Sequence, residues 1–412
     1  MADGLTVASR TAAAVGGRWQ RLPAALRIGI LYVAARVVTT AFLAYAASLS
    51  TTTSRFGAEA TVGDFAVGWD ATWYWFVAVN GYPTQVPLTD AGLVAENAWA
   101  FLPLYPYLSQ LVGVLAGGWA AGAVIVSLVA GYLAALVLYR MLRMRLDVSA
   151  STWAVVFFTA GPLAALFQVG YAESLFLLCL LLALWRLERR RYGWLYLLIP
   201  LMGATRPGVL AVALFLGLYG IWRWFRRRVE PLPPREIVHI VALGLLAAVV
   251  GFAWQVIAGV VTGDPGAYLA TELAWRRNWI PDASGGFVPF EGFVTAAGFW
   301  FTSWGASAVT GYVVLALVVA AIAAVLLWEP HVRRLGVPLR LWSASYLLYL
   351  LAVFFPQSSI FRLLLPVSPL WGAVAMPRAG WWRGGILILC LVAQWWWIYN
   401  MYALANTYWQ IP

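Results

Sequence analysis

The sequence contains no lysine; all 27 basic residues are arginine. Charge of either sign is scarce, at 10% of the 412 residues, where soluble domains carry about 25%. That scarcity excludes an ordinary soluble enzyme. Cysteine is nearly absent. Cys179 and Cys390 both fall in apolar runs, which excludes a disulfide framework and a cysteine metal site. Histidine is equally rare. His239 and His331 lie near predicted cytoplasmic ends, so acid–base work on the other face falls to carboxylates. Alternating strands of the barrel type are missing. No inverted internal repeat of the kind found in many secondary transporters occurs.

What is present is hydrophobicity. Apolar residues make up 63% of the chain, the mean hydropathy is +0.80, and apolar runs of about 20 residues recur. The chain reads as an all-α polytopic membrane protein forming one transmembrane domain over residues 1–412. The net charge of +11 does not point to nucleic acid, because the arginines cluster at membrane ends as cytoplasmic anchors do. With the all-arginine usage, the excess of Ala, Gly and Val suggests a GC-rich bacterial genome and hence a bacterial plasma membrane.

Arginine placement sets the topology. Arg10, Arg18, Arg21 and Arg27 put the N-terminus inside. A span at 28–49, too long for a signal-peptide core, leads to a first outer loop at 48–118 carrying short helices. Residues 99–117 form a helix tucked against the outer face or re-entrant, and 119–139 return to Arg140, Arg143 and Arg145. A hairpin at 150–168 and 172–187 follows. Residues 193–222 lie between two arginine clusters, too short for two full spans. They are expected to form two short helices meeting at Thr205-Arg206-Pro207-Gly208, with Arg206 partly buried. Spans at 236–262 and 305–328 enclose a second outer loop at 263–303. The chain closes with a hairpin at 341–355 and 363–376 and a span at 384–402. The total is about 11 spans. Six arginines escape the inside rule: Arg36, Arg55, Arg206, Arg276, Arg277 and Arg362.

The loop from Asp64 to Pro106 concentrates the chemistry. Asp70 stands in G-W-D-A-T-W-Y. It can cap the helix that begins near Ala71, or act as a general base packed among Trp69, Trp73 and Tyr74; the two roles can coexist. Asp64 and Glu96 are the other candidate bases. Trp69, Trp73, Tyr74 and Tyr82 are too dense for a membrane-interface belt alone, and aromatic faces also stack on sugars. Glu173 sits just inside the outer end of a span, where an acid needs a partner or a task. Pairing with Arg206 is one such use. Arg206 and Arg362 either snorkel to the interface or clamp an anion such as a lipid phosphate. Gln357 and Ser358 offer hydrogen bonds beside Arg362.

Four places in order resemble PIG-V-type mannosyltransferases of the GT-C superfamily. They are W-D-A-T-W-Y-W-F-V-A-V-N-G-Y at 69–82, A-F-L-P-L-Y-P at 100–106, Y-A-E-S-L-F at 171–176 with T-R-P-G at 205–208, and S-S-I-F-R-L-L-L-P at 358–366. The 263–303 loop carries no motif of that family. The resemblance implies a multi-span helical fold with its active site on the non-cytoplasmic face. It implies inverting transfer of mannose from polyprenyl-phosphate mannose to a hydroxyl, with Asp70 at the position of the essential acid. In a bacterium the acceptor would be a lipid-linked or other cell-envelope glycan. The paired D-x-D acids of metal-dependent GT-C enzymes do not occur here, so neither a metal nor another cofactor is expected. Transfer of a different sugar from its polyprenyl phosphate, a lipid or oligosaccharide transporter, and a non-catalytic subunit are the other readings the sequence leaves open.

Overall fold

The computed structural model describes residues 21–277, 287–407 and 409–412. Arg10, Arg18 and Asp282 lie outside the described residues. Secondary structure is helical, and no extended strand occurs among the described residues. Five helices are long and apolar enough to cross a membrane, in keeping with a multi-pass membrane protein. They are Ala24–Ser48 (α1), Trp119–Leu142, Pro234–Thr262, Ala308–Trp328 and the segment Gly380–Leu404. At 1.5 Å per residue, α1 reaches about 37 Å, against a hydrocarbon core of about 30 Å.

The first loop holds two short helices, Val62–Val67 (α2) and Asp70–Asn80 (α3). Leu104–Ala116 (α4) then packs antiparallel on Trp119–Leu142 (α5). Glycine makes that approach possible: a Cβ on Gly122 would stand 2.1 Å from the Ser109 carbonyl oxygen. The Tyr105 hydroxyl donates to the Ala123 carbonyl at 2.9 Å, and the Trp119 indole donates to that of Pro106 at 3.1 Å. The A-F-L-P-L-Y-P stretch is thereby fixed to α5.

Two expected spans are shorter or more broken than full α-helices. In the arm at 150–168, the helix Val148–Thr159 (α6) stops at Gly161-Pro162 and resumes as a 3-10 turn at Ala164–Phe167. The buried Arg36 guanidinium donates to the freed carbonyls of Thr159 and Ala164. This explains one arginine that escaped the inside rule. It also shows how broken backbone is satisfied away from water. The arm expected at 363–376 is likewise not one helix. Pro366 and Pro369 remove amide donors, and it runs as a 3-10 stretch at Leu365–Leu370 followed by Trp371–Val374.

The next helices are Glu173–Glu188 (α7), Leu195–Gly203 (α8), Leu210–Arg226 (α9) and Pro234–Thr262 (α10). As expected, α8 and α9 are two short helices separated by 205–208. The Leu104 amide donates to the Ala204 carbonyl at 2.8 Å, which brings the T-R-P-G turn beside the start of α4. Ala267–Arg277 (α11) lies in the second loop. Then come Glu291–Ser303 (α12), Ala308–Trp328 (α13), Pro330–Arg334 (α14), Val337–Val353 (α15) and Ile360–Leu363 (α16).

The two ends of the bundle differ in charge chemistry. Glu188 at the C-terminus of α7 meets Arg145 at 2.6 Å, and Arg223 holds Glu236 at 3.0 Å and Glu230 at 2.8 Å. Glu173 begins the same helix α7, so it lies about 22 Å away at the other end. That end carries the candidate site.

Candidate functional site

Local backbone geometry aims Asp70. Trp69, the residue before α3, has φ 57° and ψ −125°, a conformation costly for a side chain of this size, about 1–3 kcal/mol. Tertiary bonds hold it there. The Trp69 indole donates to the Met401 carbonyl at 2.9 Å, and the Arg55 guanidinium lies 4.0 Å from the ring centroid. The Asp70 amide then donates to the Tyr171 hydroxyl at 3.3 Å. A second tie runs from the Gly170 amide to the Ala66 carbonyl at 2.7 Å. The first loop is therefore sewn to the Y-A-E-S-L-F turn immediately before α7.

The Asp70 side chain does not cap its helix. Asp70 is the first residue of α3, and no side chain caps that helix. Its carboxylate instead forms an ion pair with the Arg362 guanidinium. Arg362 also lies 3.5 Å from Glu173, and Glu173 is paired with Arg206. The Tyr171 ring sits 5.6 Å from the Arg362 guanidinium. The Glu173 side chain is 2% exposed and that of Arg206 15%, so the pair is largely desolvated. Asp70, Arg362, Glu173 and Arg206 thus alternate in sign along one chain of contacts. The cluster opens on a cleft whose other lining includes Phe176, Leu177, Leu363 and Leu365. A charged mouth on an apolar wall suits an amphiphile with an anionic head.

The other expected site residues sort differently. Asp64 is exposed, and it closes a capping box with Thr61, whose amide and hydroxyl donate to its carboxylate at 2.8 and 2.6 Å. The Thr61 hydroxyl and amide hold that carboxyl below the usual range, which weakens Asp64 as a base. Glu96 is half-buried beside Asn97, whose amide donates to Thr271 of α11 at 2.8 Å. Tyr74 is buried edge-on to Phe101 and Tyr105. Tyr82 stacks on Trp99 at 4.7 Å and donates to the Phe101 carbonyl. Trp69, Tyr74 and Tyr82 therefore hold the loop in place, with Trp69 and Tyr82 still half-buried. Trp73 stacks on Phe101 but stays half-buried, and its ring meets that of Trp275 at 5.9 Å. Ser358 donates to the Ile411 carbonyl at 2.6 Å. Gln357 is half-buried, with its carbonyl accepting from the Ile360 amide.

Tyr171 was not anticipated. Its only sequence signal is its place in Y-A-E-S-L-F, two residues before Glu173. Among the described residues no group of three or more His, Cys, Asp or Glu is arranged to hold a metal ion.

A family model, that of the PIG-V mannosyltransferases, matches residues 40–257. The chain belongs to the PIG-V mannosyltransferase family. That match takes in Asp70, Tyr171, Glu173 and Arg206, while Arg362 lies beyond it and reaches the family segment through its ion pairs. No curated protein matches the chain. Two solved structures are similar in overall shape. ArnT from Cupriavidus metallidurans, bound to undecaprenyl phosphate, is 14% identical over 87% of this chain, with a TM-score of 0.49. The archaeal oligosaccharyltransferase AglB from Archaeoglobus fulgidus, in complex with an inhibitory peptide and a dolichol-phosphate, is 14% identical over 92% of this chain, with a TM-score of 0.44. The chain spans 62% of the length of the first and 56% of the second.

Proposed function

We propose that this family member transfers mannose from polyprenyl-phosphate mannose to a hydroxyl of a lipid-linked or cell-envelope glycan, with inversion, on the extracytoplasmic face of a bacterial plasma membrane. The observation that carries the reading is the Asp70–Arg362 ion pair, whose arginine lines a small cleft with Phe176, Leu177, Leu363 and Leu365. A base and an anion-binding cation stand side by side, each holding the other until substrate arrives.

In this mechanism the donor phosphate takes the Arg362 guanidinium, with Arg206 beside it, and the prenyl tail lies along Phe176, Leu177, Leu363 and Leu365. Losing its partner frees the Asp70 carboxylate for the acceptor hydroxyl. The acceptor oxygen attacks the anomeric carbon as the bond from that carbon to the phosphate oxygen breaks. The bonding pair stays on the phosphate, and the acceptor proton goes to Asp70. The phosphate gains one negative charge while Asp70 loses one, so the net charge of the site is unchanged through the step. Arg362 stabilises charge where it develops, and Asp70 supplies general base catalysis. Glu173 keeps Arg206 and Arg362 oriented toward the cleft.

Purified protein given synthetic polyprenyl-phosphate mannose, or GDP-mannose in a parallel reaction, tests the donor. Transfer from the lipid donor alone supports the reading. Transfer from GDP-mannose without added lipid contradicts it.

A further inference from the structure

Helix α11 carries a buried indole and, on the same face, a carboxyl that no cation among the described residues holds. The Trp275 indole N–H is buried and meets no acceptor among the described residues, a costly state for a donor. Glu272 is half-buried and pairs with no cation among the described residues. Its polar neighbour is the Tyr268 hydroxyl one turn earlier, with Tyr349 of α15 also near. Burial pushes the Glu272 carboxyl up to about 7.

Residues 272 and 275 are neighbours on one helical face, and Trp275 brings that face beside α3. Trp275 meets Trp73, which stands one turn beyond Asp70 on α3. Tyr349 of α15 lies near both Glu272 and Arg206. The remaining wall is aromatic: Phe101 lies 6.1 Å from Trp275, ring to ring.

We propose that Glu272 and Trp275 form the acceptor subsite, holding a pyranose through neighbouring hydroxyls. The carboxylate accepts from one hydroxyl, and the indole N–H donates to the oxygen of the next. An acceptor and a donor set together in an aromatic wall fit a sugar, which has hydroxyls at its edge and C–H groups on its faces. A simple cation would use the carboxylate and leave the indole unpaired. The subsite rests on the reading that the chain transfers sugar. It assigns the acceptor to the α11 face and the donor phosphate to the Arg362–Arg206 pair. This gives the second loop, which carries no family motif, the task of choosing the acceptor.

The test is binding of methyl α-D-mannopyranoside to the purified full-length protein in detergent, read by saturation-transfer NMR. Wild type, Glu272→Gln and Trp275→Phe are compared, with polyprenyl phosphate binding measured alongside. Glu272→Gln removes the charge and keeps the shape; Trp275→Phe removes the N–H and keeps a ring. The expected result is binding to wild type, with a dissociation constant raised about tenfold or more in each variant, as for a lost hydrogen bond to a charged or buried group. Polyprenyl phosphate binding stays unchanged in both variants. Equal binding of the mannoside by all three proteins, or no binding by wild type, overturns the subsite. If Glu272→Gln fails to fold, Trp275→Phe decides alone. Loss of polyprenyl phosphate binding by wild type contradicts the donor reading instead, and the mannoside result still stands or falls by itself.

Discussion

Arg362 reaches back 292 residues to hold the Asp70 carboxylate. The same guanidinium lies 3.5 Å from Glu173, so one cation near the C-terminal end of the chain organises two acids from its first half. In the proposed mechanism a phosphate entering the cleft competes with Asp70 for this guanidinium, which would couple donor binding to release of the base.

Arg362→Ala should abolish tight binding of polyprenyl phosphate, and Arg362→Lys should restore it only in part, since a point charge lacks the bidentate fork. Isothermal titration of polyprenyl phosphate into each variant checks this. Equal affinity in wild type and Arg362→Ala would place the phosphate elsewhere.

Breaking the Glu173–Arg206 pair should destabilise the protein more than removing it. Arg206→Ala leaves a carboxylate that is 2% exposed without its principal partner, and loss of one member of a buried pair costs about 3–5 kcal/mol. The double variant Arg206→Met, Glu173→Gln should recover much of that stability. Thermal unfolding in detergent of the single and double variants distinguishes this from a pair of no consequence, for which both curves would match wild type.

Glu272 gives a pH dependence of defined sign. Its carboxyl is raised from the ordinary 4.5 to about 7 by burial, and the groups facing it are Tyr268 and Tyr349. The folded protein holds this proton more tightly than the unfolded chain. Its contribution to stability is therefore present in full below the unfolded value and is lost as pH rises through about 7. Between about pH 5 and pH 8 wild type should lose more thermal stability than Glu272→Gln. Parallel pH profiles for the two proteins would contradict the raised value.

The reaction should persist in EDTA. No D-x-D pair occurs in the sequence, and the Asp70 carboxylate is engaged by Arg362. Activity lost in chelator and restored by Mn²⁺ would reverse this expectation.

Much of this architecture is legible in the sequence, because lipid solvent imposes long apolar runs and arginine marks their ends. The two short helices at 195–226 followed from length and charge alone. The Glu173–Arg206 pair was legible because an acid at the end of a span needs a partner. Other features were not. Asp is a good cap, yet Asp70 does not cap, because Trp69 adopts a positive φ that no composition rule reveals. The Asp70–Arg362 pair joins residues too distant in sequence for any spacing argument. Trp69, Tyr74 and Tyr82 look like sugar platforms from density alone. The structure adds the loop-holding contacts they make, and Trp275 comes from a helix in a loop without family motifs.

The central claim is that Asp70 is the base of a lipid-donor glycosyl transfer. The direct measurement is the rate of mannose transfer from synthetic polyprenyl-phosphate mannose by wild type and by Asp70→Asn, which keeps the shape and removes the base. The account expects transfer by wild type and a loss of about 100-fold or more in Asp70→Asn, within the usual contribution of a general base, with donor binding retained. Equal rates in the two proteins would contradict it and move the base to another carboxylate.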